Sequence, residues 1–277
     1  MKRFLLFALA GLMCATTATG SRAEPLAPPG INDNQWRFSL TPYIFLPVDV
    51  SGDSTVAGQT VSLDFDTSEL LDILDFAFAT RAEAWKGNFA IILDGNYVDV
   101  GLDATTKGPG PFPGGEEVDV DVRQFYLDFL ASYRVLKKPY NDDGDLWTLE
   151  VMGGGRYNYL KQVIDLKEEG SLGPGVNATL GGSETWVDPM VGARVMAMLS
   201  DRWSMSVRGD IGGFGITDTD LTWSLTGGVD YRPWEQTSLK FGWRYYSIDY
   251  ATTLNGGAFA YDIEEYGPFV AITFTFQ

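Results

Sequence analysis

Gly267-Pro268-Phe269-Val270-Ala271-Ile272-Thr273-Phe274-Thr275-Phe276-Gln277 is the stretch whose reading decides the fold. Val270, Ile272, Phe274 and Phe276 fall on one parity, and Ala271, Thr273 and Thr275 on the other. Side chains alternate between the two faces of a strand, so this stretch presents one bulky apolar face and one small or polar face. A strand whose outside meets lipid and whose inside meets a polar lumen has this pattern, as expected for the last strand of an outer-membrane barrel.

The rule extends backward through the chain. Val187, Val191, Val195 and Leu199 oppose Asp188, Gly192 and Arg194. Trp203, Met205, Val207 and Ile211 oppose Ser204, Ser206, Arg208 and Asp210. Leu221, Trp223, Leu225 and Val229 oppose Thr222, Ser224, Thr226 and Asp230, while Leu239, Phe241, Trp243 and Tyr245 oppose Lys240, Gly242 and Arg244. The bulky aromatics lie on the apolar parity and the charges recur on the other, which favours lipid outside and a polar lumen inside over a soluble sandwich. Residues 35–46, 76–85, 89–100, 118–133 and 147–160 follow the rule with more noise. The expected fold is therefore all-β, an antiparallel transmembrane β-barrel of ten strands, with twelve as the alternative. An even count keeps both ends periplasmic, with short turns at 86–88, 137–145, 200–202 and 233–237. Longer Gly-rich outer loops are expected at 103–117, 167–183, 213–220 and 252–258.

The first residues read as a secretory signal over 1–23: Lys2 and Arg3, an apolar run from Phe4 to Met13, then Ser21-Arg22-Ala23. A periplasmic segment, 24–34, then precedes the barrel, 35–277. The only cysteine, Cys14, lies in that leader, so neither a disulfide framework nor thiolate chemistry is expected in the mature chain. Past the leader no apolar run approaches the roughly 18 residues of a membrane helix. Net charge is −17 and becomes −20 when the leader removes three cations and no acid. Nucleic acid is not a partner for such a surface. Expected partners are outer-membrane lipid and lipopolysaccharide, the barrel insertion machinery, and small solutes or ions.

Residues 48–74 break the pattern. They contain an extra hairpin, 48–50 with 61–65, and then one or two helical turns capped by Asp66, Thr67 or Ser68, with Leu70, Leu71, Ile73 and Leu74 on the apolar side. This piece is expected as a cap on the outer rim or a partial plug. Trp36, Trp85, Trp147, Trp203 and Trp234 fall at periplasmic strand ends, where an aromatic girdle belongs.

The chain has no histidine, so triad-type activation of serine has no imidazole and no histidine metal site can form. No catalytic residues, cofactor or metal are expected, and the chain is expected not to be an enzyme. Asn141-Asp142-Asp143-Gly144-Asp145 lacks the spaced ligands and closing glutamate of a calcium loop and reads as a solvated turn. Asn177-Ala178-Thr179 and the glycine-proline run 108–115 carry no specific chemistry. Six carboxylates of lumen parity, Glu83, Asp94, Asp128, Glu150, Asp188 and Asp210, leave a two-carboxylate glycosidase chemically open. The simpler account is a lumen charge network in which they pair with Arg81, Arg156, Arg194, Arg208, Arg232 and Arg244, joined by Asp230 and Lys240.

Residues 184–194 (ETWVDPMVGAR), 209–215 (GDIGGFG), 242–245 (GWRY), 266–268 (YGP) and the early 40–44 (LTPYI) resemble a family of proteobacterial outer-membrane β-barrel proteins. More distantly, the chain is similar to the transmembrane barrel of outer-membrane protein A. The resemblance implies a barrel in the cell outer membrane, and it transfers no functional residues. Two activities remain open: a small channel for ions or small solutes, or a closed structural or surface-interaction barrel acting through its outer loops. Pairing of Arg194, Arg208 and Arg244 with Asp188, Asp210 and Asp230 favours the second; water access along those arginines favours the first.

Overall fold

The computed structural model describes residues 34–107, 114–142, 144–166 and 179–276. The leader, residues 24–33, most of the 108–115 run, Asp143, Asn177-Ala178 and Gln277 lie outside the described residues.

Ten strands close a ring: β1 (Arg37–Phe45), β5 (Leu74–Lys86), β6 (Phe89–Lys107), β7 (Glu117–Pro139), β8 (Leu146–Leu166), β9 (Thr179–Met198), β10 (Trp203–Gly213), β11 (Thr219–Trp234), β12 (Thr237–Leu254) and β13 (Gly257–Phe276). Every neighbour is antiparallel, and β13 closes on β1 through Phe38↔Phe276 to Phe45↔Phe269. The connections at 87–88, 199–202 and 235–236 are short, as the alternation predicts.

Most strands outrun the membrane. β7 is 23 residues long, about twice the roughly 9–11 that a tilted transmembrane strand needs. Along it the two faces exchange character. In the lower half Phe125, Leu127, Phe129 and Tyr133 point outward while Asp128, Ser132 and Arg134 are buried inside. Above Arg123 the outward residues are Asp119 and Asp121, and Val118, Val120 and Val122 are buried. The inversion marks the edge of the membrane, because an apolar face is stable against lipid below and only against protein above. The inner face of the outer half is therefore an apolar core, in which Val118, Val120, Leu160, Ile164, Ile248, Phe259, Tyr261 and Ile263 meet.

The expected loop 252–258 is nearly all strand. β12 and β13 pair from Thr237↔Phe274 to Leu254↔Gly257, joined only by Asn255-Gly256, both at positive φ (53° and 84°). Such a two-residue turn suits Asn-Gly and matches the twist of the flanking strands.

The 48–74 segment builds wall rather than loop. β2 (Asp49–Val56) lies on β13, and β3 (Gln59–Ser62) pairs with β2 and reaches β6 at Thr60↔Lys107 and Val61↔Thr106. This hairpin thus stands above β1 and β5 in the outer part of the ring, and its Val56, Val61 and Leu63 enter the apolar core. The short β4 (Phe65–Asp66) pairs with β2, and α1 (Thr67–Ile73) follows. Asp66 caps α1: its carboxylate accepts from the Ser68 and Glu69 amides, and Glu69 returns a bond to the Asp66 amide. The Ser68 hydroxyl and the Glu69 amide hold the Asp66 carboxyl below its ordinary value. Passage from β1 into β2 requires Gly267, because a Cβ there would strike the Leu46 carbonyl oxygen and come within 2.8 Å of the Pro47 Cα.

Candidate functional site in the bore

The strand period puts alternate side chains of all ten strands into the bore, and ring closure decides which of them meet. Near the periplasmic end, Glu150 on β8 accepts from Arg134 Nη2 at 3.2 Å and from Arg194 Nε at 2.7 Å. Arg194 directs its other two nitrogens to Glu83, at 2.8 and 3.1 Å. Glu83 and Arg194 stand on β5 and β9, four strands apart in the ring, so this fork crosses the bore. Trp85 completes the cluster. It is 2% exposed, donates to Glu83 at 2.8 Å, and has the Arg134 guanidinium 4.4 Å from its ring. The expected place of Trp85 in the periplasmic girdle is therefore corrected, because it shares the inward parity of Arg81 and Glu83. Trp36, Trp203 and Trp234 are exposed on the outer face.

The second cluster occupies mid-membrane. Arg81 donates to Asp94 at 2.9 and 2.6 Å, and the Tyr43 hydroxyl donates to the same carboxylate at 3.0 Å. Arg208 bridges Asp94 and Asp128, at 3.3 Å to each. Arg156 forks onto Asp128 at 2.6 and 3.0 Å and donates to Thr222 at 3.0 Å. Asp210 accepts from Ser224 at 2.9 Å, and Arg208 Nε lies 3.0 Å from it without alignment as a hydrogen bond. Burying such ions costs several kcal/mol apiece unless each meets an opposite charge and further donors or acceptors, and these contacts supply both.

Two expected members of the network stand outside it. Asp188 has no arginine partner among the described residues; it accepts from Asn158 and Trp186, each at 2.9 Å, and from Thr219 at 3.0 Å and Thr217. Arg244 has no carboxylate within ion-pair distance among the described residues. It donates to the Tyr126 hydroxyl, and its guanidinium lies 5.3 to 5.8 Å from the Phe45, Tyr126 and Tyr246 rings, with Nε unbonded. Asp230 and Lys240 pair at 3.1 Å, half-exposed, with Arg232 beside them at the periplasmic mouth. Arg194 and Arg208 thus find most of their partners away from the three aspartates considered in the sequence.

Arg134, Tyr43, Asn96 and Tyr126 were not singled out in the sequence. Arg134 shares the parity of Asp128 and lies one residue beyond the expected end of its strand, so extending the alternation would have found it. The uncharged three carry no charge signal and matter through neighbours far away in sequence, Asp94 for Tyr43, Tyr43 for Asn96, and Arg156 and Arg244 for Tyr126.

Three spaces border these groups. One of about 60 Å³ opens at the periplasmic mouth, and one of about 90 Å³ continues from it into the bore, sharing Thr41, Arg194, Met196, Ser204, Asp230 and Lys240. The third, about 120 Å³, lies in the wall beneath α1; it is lined mostly by apolar side chains and meets the second at Tyr43. Above them the stacked Tyr126–Tyr246 pair, 5.4 Å between centroids, and the apolar core occupy the bore.

In the acidic run, Asn141 and Asp145 exchange hydrogen bonds of 2.8 Å: the Asn141 side-chain amide donates to the Asp145 carboxylate and the Asp145 backbone amide to Asn141 Oδ1.

A closed antiparallel ring with an exposed apolar belt, including Val270 at 54% and Val191 at 51%, and charges gathered inside it defines a transmembrane β-barrel of the outer-membrane type. No protein-family model and no curated protein sequence matches the chain. Among solved structures it is similar to the outer membrane protease OmpT from Escherichia coli, at 11% identity over 88% of this chain and 97% of that one, with a TM-score of 0.48. The translocator domain of the autotransporter NalP from Neisseria meningitidis matches at 10% identity over 88% and 90%, with a TM-score of 0.40. Outer membrane protein AlkL matches at 13% identity over 93% and 97%, with a TM-score of 0.30. At those values the class rests on the chain's own ring and belt.

Proposed function

We propose that this barrel conducts small, uncharged, largely apolar solutes across the outer membrane, and that it is neither an open ion pore nor an enzyme. The observation that carries this reading is the pairing inside the bore. Four buried arginines, 134, 156, 194 and 208, pair there with four buried carboxylates, Asp94, Asp128, Glu150 and Asp210, and the bridges run from wall to wall. A hydrated ion entering such a bore would have to break pairs whose partners are then left buried and uncompensated. The apolar outer core adds a second barrier to ions. What remains is a polar space open to the periplasm and an apolar space beside it, sizes suited to a small neutral molecule. Catalysis is disfavoured because the chain lacks histidine and most inward carboxylates are held by arginines.

The same wall-to-wall pairs favour a second reading, a closed structural barrel. Two measurements separate them. Refolded protein in planar bilayers should insert without steady ionic current. Cells displaying it should accumulate the uncharged dye N-phenyl-1-naphthylamine faster than cells without it. Steady ohmic current would overturn exclusion of ions; unchanged dye accumulation by well-inserted protein would leave the structural barrel.

A further inference from the structure

The ring is not zipped along its whole height. β1 and β5 pair from Arg37↔Trp85 to Tyr43↔Ala79 and then part. Beyond that point β1 stays on β13 through Ile44↔Val270 and Phe45↔Phe269, while β5 stays on β6 through Phe78↔Tyr97 and Ala77↔Val98. The wall resumes higher up as β2 and β3. Between lies the apolar space of about 120 Å³, with Ile44, Phe78 and Leu71 exposed around its outer side and Tyr43, Asn96 and Glu265 toward the bore.

The parting begins at the outer margin of the lipid-facing belt: Ile44 and Phe78 are outward there, each 54% exposed, and Phe78 stands through Tyr97 at the level of Phe125, two residues below the change of face at Arg123. A sheet edge is not tolerated against lipid tails unless something covers it. Here the cover is α1, which has no buried residue; Thr67 Oγ1 donates to the Pro47 carbonyl at 3.1 Å across the gap, and Ile73 packs on the margin of the apolar core. A short helix held so lightly can be displaced far more readily than a strand in a ladder.

We propose that this parting, with α1 lying across it, is a side opening through which small uncharged apolar molecules dissolved in the outer leaflet reach the bore, a route that rests on the conduit reading above. The occupant follows from the lining. Lipid tails bound the space on one side, so what arrives is what partitions into lipid. At the inner end stand two charges of opposite sign, Arg244 and Glu265, whose attraction for each other leaves neither an acid nor an amine favoured over a neutral guest. The Tyr43 hydroxyl there already donates to Asp94 and accepts from Asn96, which leaves one lone pair to accept from a single polar group on such a guest. The axial route to the same point is occupied by Tyr126, Tyr246 and the apolar core.

The test uses the full chain in cells and N-phenyl-1-naphthylamine as the probe, with insertion checked by heat-modifiable mobility. Ala79→Trp fills the inner end of the opening and should bring dye accumulation down to that of cells lacking the protein. An inserted Ala79→Trp barrel that keeps the full rate would overturn the side route and leave the conduit standing, whereas a native chain that gives no acceleration would remove both. Because a tryptophan at this site could block assembly, a second variant is read independently. Ala79→Cys should react with a pyrene maleimide delivered in phospholipid and resist a sulfonated maleimide from water. Faster labelling by the sulfonated reagent, or labelling by neither, would overturn the proposal.

Discussion

Replacing Asp128 by asparagine keeps the shape of the side chain and removes one negative charge from the middle of the bore. Asp128 is 2% exposed and takes three donors: two from Arg156, at 2.6 and 3.0 Å, and one from Arg208 at 3.3 Å. Asparagine retains one acceptor and turns an NH2 group toward a guanidinium, so at least one of the Arg156 bonds becomes a donor facing a donor. Hydrogen bonds to charged groups contribute about 1.5 to 3 kcal/mol each, and breaking a buried pair from one side costs roughly 3 to 5 kcal/mol. Arg156 keeps Thr222, with Asp210 3.6 Å away, and Arg208 keeps Asp94, which places the expected loss at the lower end, about 3 kcal/mol. Urea unfolding in phospholipid vesicles, followed by tryptophan fluorescence and heat-modifiable mobility, measures it. The double variant Asp128→Leu with Arg156→Met should recover most of the loss, because both charges leave together. A single-variant loss below about 1 kcal/mol, the range of exposed pairs, would mean that water reaches Asp128 freely and the bore is not sealed there.

The lipid-facing parity is checked by Val270→Arg and Phe274→Arg, which should each cost about 2 to 4 kcal/mol near mid-membrane and impair assembly; normal insertion and unfolding midpoints of both would refute the assigned faces. Gly267→Ala forces a Cβ onto the chain crossing at Leu46 and Pro47, and about 1 to 3 kcal/mol of overpacking is expected in the same vesicle assay. Gly87→Ala, in a periplasmic turn with open space around it but φ of 59°, should show only the smaller cost of its backbone angle, and equal losses would refute the steric account. The Asp66 cap is strongest while ionised. Its carboxyl is held below its ordinary value of 3.8, so the charge-dependent part of the cap is complete above that pH and lost as pH falls through the lower folded value. Hydrogen exchange at the Ser68 and Glu69 amides should therefore speed up, relative to strand amides, only on the acid side of 3.8; loosening already between neutrality and that pH would refute the cap.

Alternation along single strands was enough to name the fold. Residues 187–199, 203–211, 221–232, 239–245 and 267–276 each carry their own record of which face meets lipid, because the strand period acts between next-nearest residues and needs no partner. The same local record placed the inward charges, from Arg81 to Arg244, on one side of their strands. At two points that record reaches further than the expected elements: the alternation of β7 runs through Arg134, and Trp85 keeps the parity of Glu83 although tryptophan at a strand end suggests a girdle. Asn255-Gly256 likewise marked a hairpin turn where a longer loop was expected.

Only the tertiary structure decided who meets whom. Arg194 reaches Glu83 over 111 positions of sequence and Arg208 reaches Asp94 over 114, distances at which no local pattern selects one acid over another. Closure of the ring makes that selection, by fixing which strands face each other and at what height. The parting of β1 from β5 was equally hidden, because each strand keeps its alternation and simply follows a different neighbour. Sequence periodicity determined that there is a barrel and which way its side chains point; the pairing of strands far apart in the chain decided that its charges cancel across the bore and that its wall parts beneath one short helix.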